Sequence, residues 1–170
     1  MEHPVHALLR RELAALRREI EAYPEERQIW ALPPGLPNSG GTLALHLCGN
    51  LQHFIGSVLG ATGYVRDRPS EFSRRDVPRA ELLAEIDRTV QAVDRGFANL
   101  TPEILASDWP EILYGYRYQA GDFVTHLAVH LGFHLGQVDY HRRVVTGDSA
   151  SAKPMTMTEM LTAKQVTSEK

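Results

Sequence analysis

Apolar positions recur at threes and fours in four stretches of the chain, with polar and charged residues filling the places between them. The first stretch, residues 5 to 22, puts Leu8, Leu9, Leu13, Leu16 and Ile20 on one side of a helix, which Tyr23-Pro24 ends. The second, TLALHLCGNLQHFIGSVLG from residue 42, has Thr42 as its expected cap and Leu47, Leu51, Phe54 and Val58 as its core stripe. The third opens at Pro78, carries Leu82, Leu83, Ile86, Val90, Val93 and Phe97, and should stop before Thr101-Pro102. The fourth is DFVTHLAVHLGFHLGQVDYHRR, Asp122 to Arg143, with Phe123, Leu127, Leu131, Val138 and the following Val145 on its buried side. Four amphipathic helices of similar length, the second and fourth with polar residues facing inward, predict an all-α fold, a four-helix bundle.

The connections are uneven. Residues 24 to 41 hold Pro24, Pro33, Pro34 and Pro37 with Gly35, Gly40 and Gly41, a long link whose Ile29, Trp30 and Leu32 should pack over the domain. Gly60 to Asp76 is turn-rich and charged. Between 101 and 118 a helical turn is expected at Glu103 to Ala106, and Trp109, Tyr114, Tyr116 and Tyr118 either line a pocket or cover the bundle end. Residues 1–147 form the bundle unit and 148–170 a weakly apolar tail, expected to make one short helix near Thr158 to Val166 or to arm a neighbouring subunit.

Composition narrows the function classes. A chain of 170 residues suits one domain with a real core. The net charge of −3, with arginines scattered among acids, gives no attraction to nucleic acid or an anionic membrane. No run of 18 apolar residues is present and MEHPVHALLRREL lacks an apolar signal core, so a cytoplasmic location is expected. The single Cys48 excludes an internal disulfide framework, and its helical position turns it away from His46. No nucleophile elbow, phosphate loop or dinucleotide fingerprint appears.

Histidine is where the chemistry gathers. Four of the eight histidines lie in the fourth helix, and His126, His130 and His134 are spaced four apart. Residues at that spacing sit about 40° round and about 6 Å along a helix, the geometry of two imidazoles on one metal ion. His126 and His134 are about 12 Å apart along the axis, so one ion takes either His126 with His130 or His130 with His134. On the second helix His46, Asn50, His53 and Ser57 fall within roughly 60° of one another beside the core stripe, like the wall of a site. His53 and His126 are alternative or supporting ligands, and Asn50, Gln137 and Asp122 are candidates to orient the imidazoles. Tyr64, Arg66 and Arg68, in GYVRDR, could hold an anionic substrate.

LALHLCGNLQHFIGSVLGATGYVRDRPSEF followed by HLAVHLGFHLGQVDYHRR resembles the DinB-like superfamily, the group that includes YfiT-type metal-dependent hydrolases. The resemblance spans roughly residues 5 to 146. It implies a four-helix bundle with a long crossover between helices two and three, and one divalent ion (nickel, zinc, iron or manganese) on His46, His130 and His134. His134 lies in HLGQ where many relatives have HRGQ, so Leu135 departs from the pattern. A homodimer, a small-molecule substrate and, as in similar thiol transferases, a low-molecular-weight thiol are further implications. Three imidazoles with a fourth position open point to thiol transfer or hydrolysis. The rival reading is a non-catalytic, stress-related dimeric protein that binds a metal or ligand.

Overall fold

The computed structural model describes residues 3–165. Among them the chain is all α, with two isolated bridges, Asp108 with Gln119 and Leu113 with Tyr116, in place of any strand. In order the helices are α1 (Pro4–Glu21), α2 (Glu26–Ile29), α3 (Gly40–Leu51), α4 (Arg68–Ser73), α5 (Arg79–Ala98), α6 (Pro102–Ala106) and α7 (Ala120–Thr146).

The long helices pack as their apolar stripes require. α1 lies against α5 and α7, and α3 lies against the same two. Leu9, Leu13, Leu16 and Ile20 of α1, Leu47 and Leu51 of α3, and Leu127, Leu131 and Val138 of α7 meet in one core. Each fully buried side chain of this size contributes about 1.5–3 kcal/mol of hydrophobic stabilisation. One buried ion pair crosses this interior: Arg142 Nε donates to Glu19 Oε2 at 2.6 Å, with both side chains almost wholly out of water.

Two expectations for the second long helix are corrected. Ser39, not Thr42, is the cap: its Oγ accepts from the Thr42 amide at 3.1 Å, and the Thr42 hydroxyl bonds back to Ser39 Oγ at 3.0 Å. The helix therefore starts on two glycines that pattern alone assigns to the loop. Packing explains them, since a Cβ at Gly40 would lie 2.3 Å from the Tyr23 hydroxyl and one at Gly41 2.8 Å from the Trp30 ring.

The second correction concerns register. From Gln52 to Leu59 the winding loosens to a π-helix, seen in the Gly60 amide bonding Ile55 O at 3.0 Å. The wider turn brings Ile55 fully into the core and leaves Phe54 and Val58 only half-buried beside it. This stretch presses on α5 through glycines: a Cβ at Gly96 would lie 2.5 Å from both Ile55 Cγ2 and Ile55 O.

The connections are ordered by their own bonds. Ile29 and Trp30 are buried, the indole donating to Val77 O at 3.2 Å, whereas Leu32 stays exposed. α6 takes the expected place of the helical turn. Past Gly147, whose φ of +71° ends α7, the chain turns back along α1, where Arg18 donates to Ala152 O at 2.8 Å. The tail contains a 3-10 turn at Met157–Glu159, and Val166 lies outside the described residues.

Candidate metal centre

His46 is carried by α3, and His130 and His134 by α7, the two helices packed side by side. Their imidazoles converge: each offers a ring nitrogen, and these three atoms all lie within 4.8 Å of one another. His46 Nε2 and His130 Nε2 are 3.3 Å apart. Two nitrogens held about 2.0–2.1 Å from one ion at a tetrahedral angle would be separated by roughly 3.3–3.4 Å. The spacing fits a shared cation.

Hydrogen bonds on the far side of the rings decide which nitrogens face inward. Glu71, from α4, meets His46 Nδ1 at 2.9 Å through Oε2. Arg66 grips the same carboxylate with two bonds, Nε to Oε1 at 2.7 Å and Nη2 to Oε2 at 3.0 Å. Burial pushes the Glu71 carboxyl up, but the bonds from His46 and Arg66 outweigh it and hold it below its ordinary value. An ionised carboxylate only accepts, so His46 Nδ1 carries the proton and Nε2 presents a lone pair to the cluster. His134 Nδ1 is likewise occupied by Gln137 Oε1 at 2.7 Å. Among the described residues His130 has no such support, and its buried Nδ1 has no hydrogen-bond partner.

Burial keeps His130 and His134 neutral. Burial, reinforced by repulsion from His134, His46 and His126, lowers His130 to about 4. Burial also lowers His134, against the opposing bond to Gln137. Neutral imidazoles are the metal-binding form. Without a cation, Nε2 lone pairs of His46 and His130 would face each other at 3.3 Å, or His130 would have to spend its proton there and bury a bare Nδ1 acceptor.

The remaining residues singled out from sequence are distributed around this point. His126, exposed on α7, has its ring centroid 6.2 Å from that of His130 and stands outside the three-histidine group. His53 turns to Glu111 at 3.3 Å. Asn50 is buried one turn after His46, and its Oδ1 has no partner among the described residues. Arg66 is engaged by Glu71 and lies 5.6 Å over the Phe54 ring, and Arg68 lies 5.0 Å over Phe72, whose ring abuts His46. Tyr64 opens on a separate hollow shared with Glu71, Asp67 and Glu85.

Glu71 is the residue that sequence reasoning missed. Its signal was weak, a lone acid in RPSEF following a capping Asp67, with nothing in the spacing to tie it to His46. What admits it is Gly49: a Cβ there would lie 2.2 Å from Glu71 Oε1. A cavity of about 380 Å³ is lined by Leu113, Tyr114, Tyr118, Asp122, Phe123 and His126; it includes none of the three converging histidines, but His126 lies one turn before His130.

A scan of family profiles matches the DinB superfamily over residues 7–138. The chain belongs to the DinB superfamily. Comparison with curated proteins and with solved structures gives no match. The matched span contains all three converging histidines together with Glu71, Arg66 and Gln137. Among the described residues no helix is long and apolar enough to cross a membrane.

Proposed function

We propose that this member of the DinB superfamily is a metal-dependent enzyme acting by thiol transfer or hydrolysis, built on a four-helix bundle with a long crossover between the second and third long helices. In this reading His46, His130 and His134 hold one divalent ion (nickel, zinc, iron or manganese), leaving a coordination position open, and the working unit is a homodimer. The observation that carries it is the convergence of three inward-facing imidazole nitrogens with no fourth protein ligand joining the group among the described residues. A divalent ion in such a site lowers the pKa of a bound water or thiol.

The protein's own groups fill the other roles. Glu71, fixed by Arg66, holds the His46 ring and its tautomer, and Gln137 does the same for His134. The cavity reaching His126 would take the substrate, with His126 on its wall towards His130, placed to accept a proton from water or thiol. Its lining is apolar and aromatic with one acid, Asp122, and contains no arginine or lysine. Together with the engagement of Arg66 by Glu71, this favours a neutral or cationic electrophile over a carboxylate. The thiol must come from outside, because burial pushes the Cys48 thiol up to about 12. Consumption of a low-molecular-weight thiol in the presence of neutral electrophiles, with and without added metal, tests the reading. Metal-dependent consumption supports transfer, metal-dependent product formation without thiol supports hydrolysis, and neither activity with any metal counts against both.

A further inference from the structure

The tight turn ahead of α7 holds a residue that its backbone does not favour. Leu113 and Tyr116 close the turn with paired bonds, the Leu113 amide to Tyr116 O at 3.1 Å and the Tyr116 amide to Leu113 O at 3.0 Å. Both central residues have positive φ, Tyr114 at +53° and Gly115 at +81°. Asparagine, aspartate and glycine take the first of these positions readily, whereas a bulky aromatic does so at a cost. Packing does not offset that cost, since Tyr114 is 92% exposed. What the strained turn achieves is placement: the Tyr114 ring stands on the wall of the cavity that Asp122, Phe123 and His126 also line.

The other walls are aromatic too, and one carboxylate is set among them. Tyr118 and Phe123 have ring centroids 6.0 Å apart with planes 31° from parallel, and Phe123 and His126 stand 6.1 Å apart at 24°. Rings offset in this way leave part of each face open, and the face is the negative side of an aromatic ring. Asp122 is the one Asp, Glu, Lys or Arg of the lining, and among the described residues it makes no hydrogen bond or ion pair. An acid in the first turn of α7 favours the helix start, but that role does not call for aromatic rings around it.

We propose that this cavity is a binding site for an organic cation carrying a fully substituted ammonium group. The head group lies against the Tyr114, Tyr118 and Phe123 rings, and Asp122 supplies the opposite charge. A single carboxylate repels an anion. A metal ion would need more donors than are present, because Asp122 and His126 belong to no group of three convergent ligand atoms among the described residues. The mostly apolar wall suits alkyl groups on nitrogen, where N–H donors would be left short of acceptors. Asp122 precedes His130 by about 12 Å along α7, so the head group is held away from the histidine cluster and a ligand arm of that order reaches it. The inference rests on the reading of this cavity as the substrate site and narrows a neutral or cationic electrophile to a cationic one.

The test is binding to the full-length protein, followed by NMR titration with choline and with 3,3-dimethylbutan-1-ol, which has the same shape without the charge. Choline should shift the tyrosine ring signals, and the alcohol should bind at least about 10-fold more weakly. Asp122→Asn should weaken choline binding without affecting the alcohol. Tyr114→Asn should also weaken choline binding while raising the thermal midpoint, because asparagine suits the turn that tyrosine strains. Equal binding of the two probes, no choline binding at any concentration, or choline binding unchanged in both variants would each overturn the proposal. Because binding is read without turnover and can be repeated after chelation, choline binding in a protein that holds no metal would count against the metal-dependent function and leave this inference standing.

Discussion

Replacing Glu71 by glutamine isolates the support behind a ligand without touching the ligand. Three N–H groups converge on this carboxylate: His46 Nδ1 and Arg66 Nη2 on Oε2, and Arg66 Nε on Oε1. Glutamine keeps the shape but offers one acceptor oxygen and one donor. If its oxygen serves His46, its amide group faces Arg66 Nε, donor against donor. If it serves Arg66 Nε, the amide faces His46 Nδ1 and drives that ring to the opposite tautomer, with a hydrogen on the Nε2 that points into the cluster. Either way the inward lone pair of His46 loses its anchor. Loss of such a support weakens metal binding about 10- to 100-fold, or about 1.4–2.7 kcal/mol. The assay is competition with a chromophoric chelator at neutral pH and 25 °C, on protein shown to be folded by circular dichroism. Arg66→Met is the control: it removes the guanidinium but leaves the His46–Glu71 bond, so it should lower stability more than affinity. A folded Glu71→Gln variant binding metal as tightly as the wild type would refute the role given to Glu71.

Further outcomes follow from the same packing. Gly49→Ala should weaken metal binding without altering any ligand, because its Cβ would lie 2.2 Å from Glu71 Oε1; chelator competition against wild type checks this. Arg142→Met should cost about 3–5 kcal/mol of folding stability by leaving buried Glu19 unpaired, and adding Glu19→Leu should recover most of it in urea titrations. Gly96→Ala should cost about 1–3 kcal/mol, since its Cβ meets the Ile55 backbone as well as its side chain; thermal midpoints report it. His141, buried between the Tyr23 hydroxyl on Nδ1 and the Ala31 carbonyl on Nε2, has its pKa lowered by burial, against that carbonyl bond. A base that folding makes harder to protonate stabilises fully above its unfolded pKa of about 6.5 and progressively less as pH falls through it. Metal-free protein should therefore lose stability as pH falls from about 6.5 through the lowered folded-state pKa, and His141→Gln should flatten that loss; an unchanged slope would contradict it.

The helices were legible because burial imposes a period that composition shows directly. Leu9, Leu13 and Leu16, or Leu127, Leu131 and Val138, need one dry face and are spaced to give it. What stayed hidden depends on contacts distant in sequence. Gly40 and Gly41 look like loop until Tyr23 and Trp30 are seen pressing on them, and no local pattern announces the π-helical turn that substitutes Ile55 for Phe54 and Val58 in the core. The site divides the same way. Spacing alone allowed His130 to pair with either His126 or His134, and the resemblance chose the second pair with His46. The structure brings those three together. It also gives Arg66 a use that its loop sequence could not reveal, since a charge intended for solvent or substrate reads the same as one that steadies a neighbouring carboxylate.

Metal content of the untagged, full-length protein bears most directly on the central claim. Elemental analysis after dialysis should find close to one divalent ion per chain in the wild type and almost none in His130→Ala, with circular dichroism checking that the variant is folded. Equal metal in the two proteins would contradict the claim that His46, His130 and His134 share an ion.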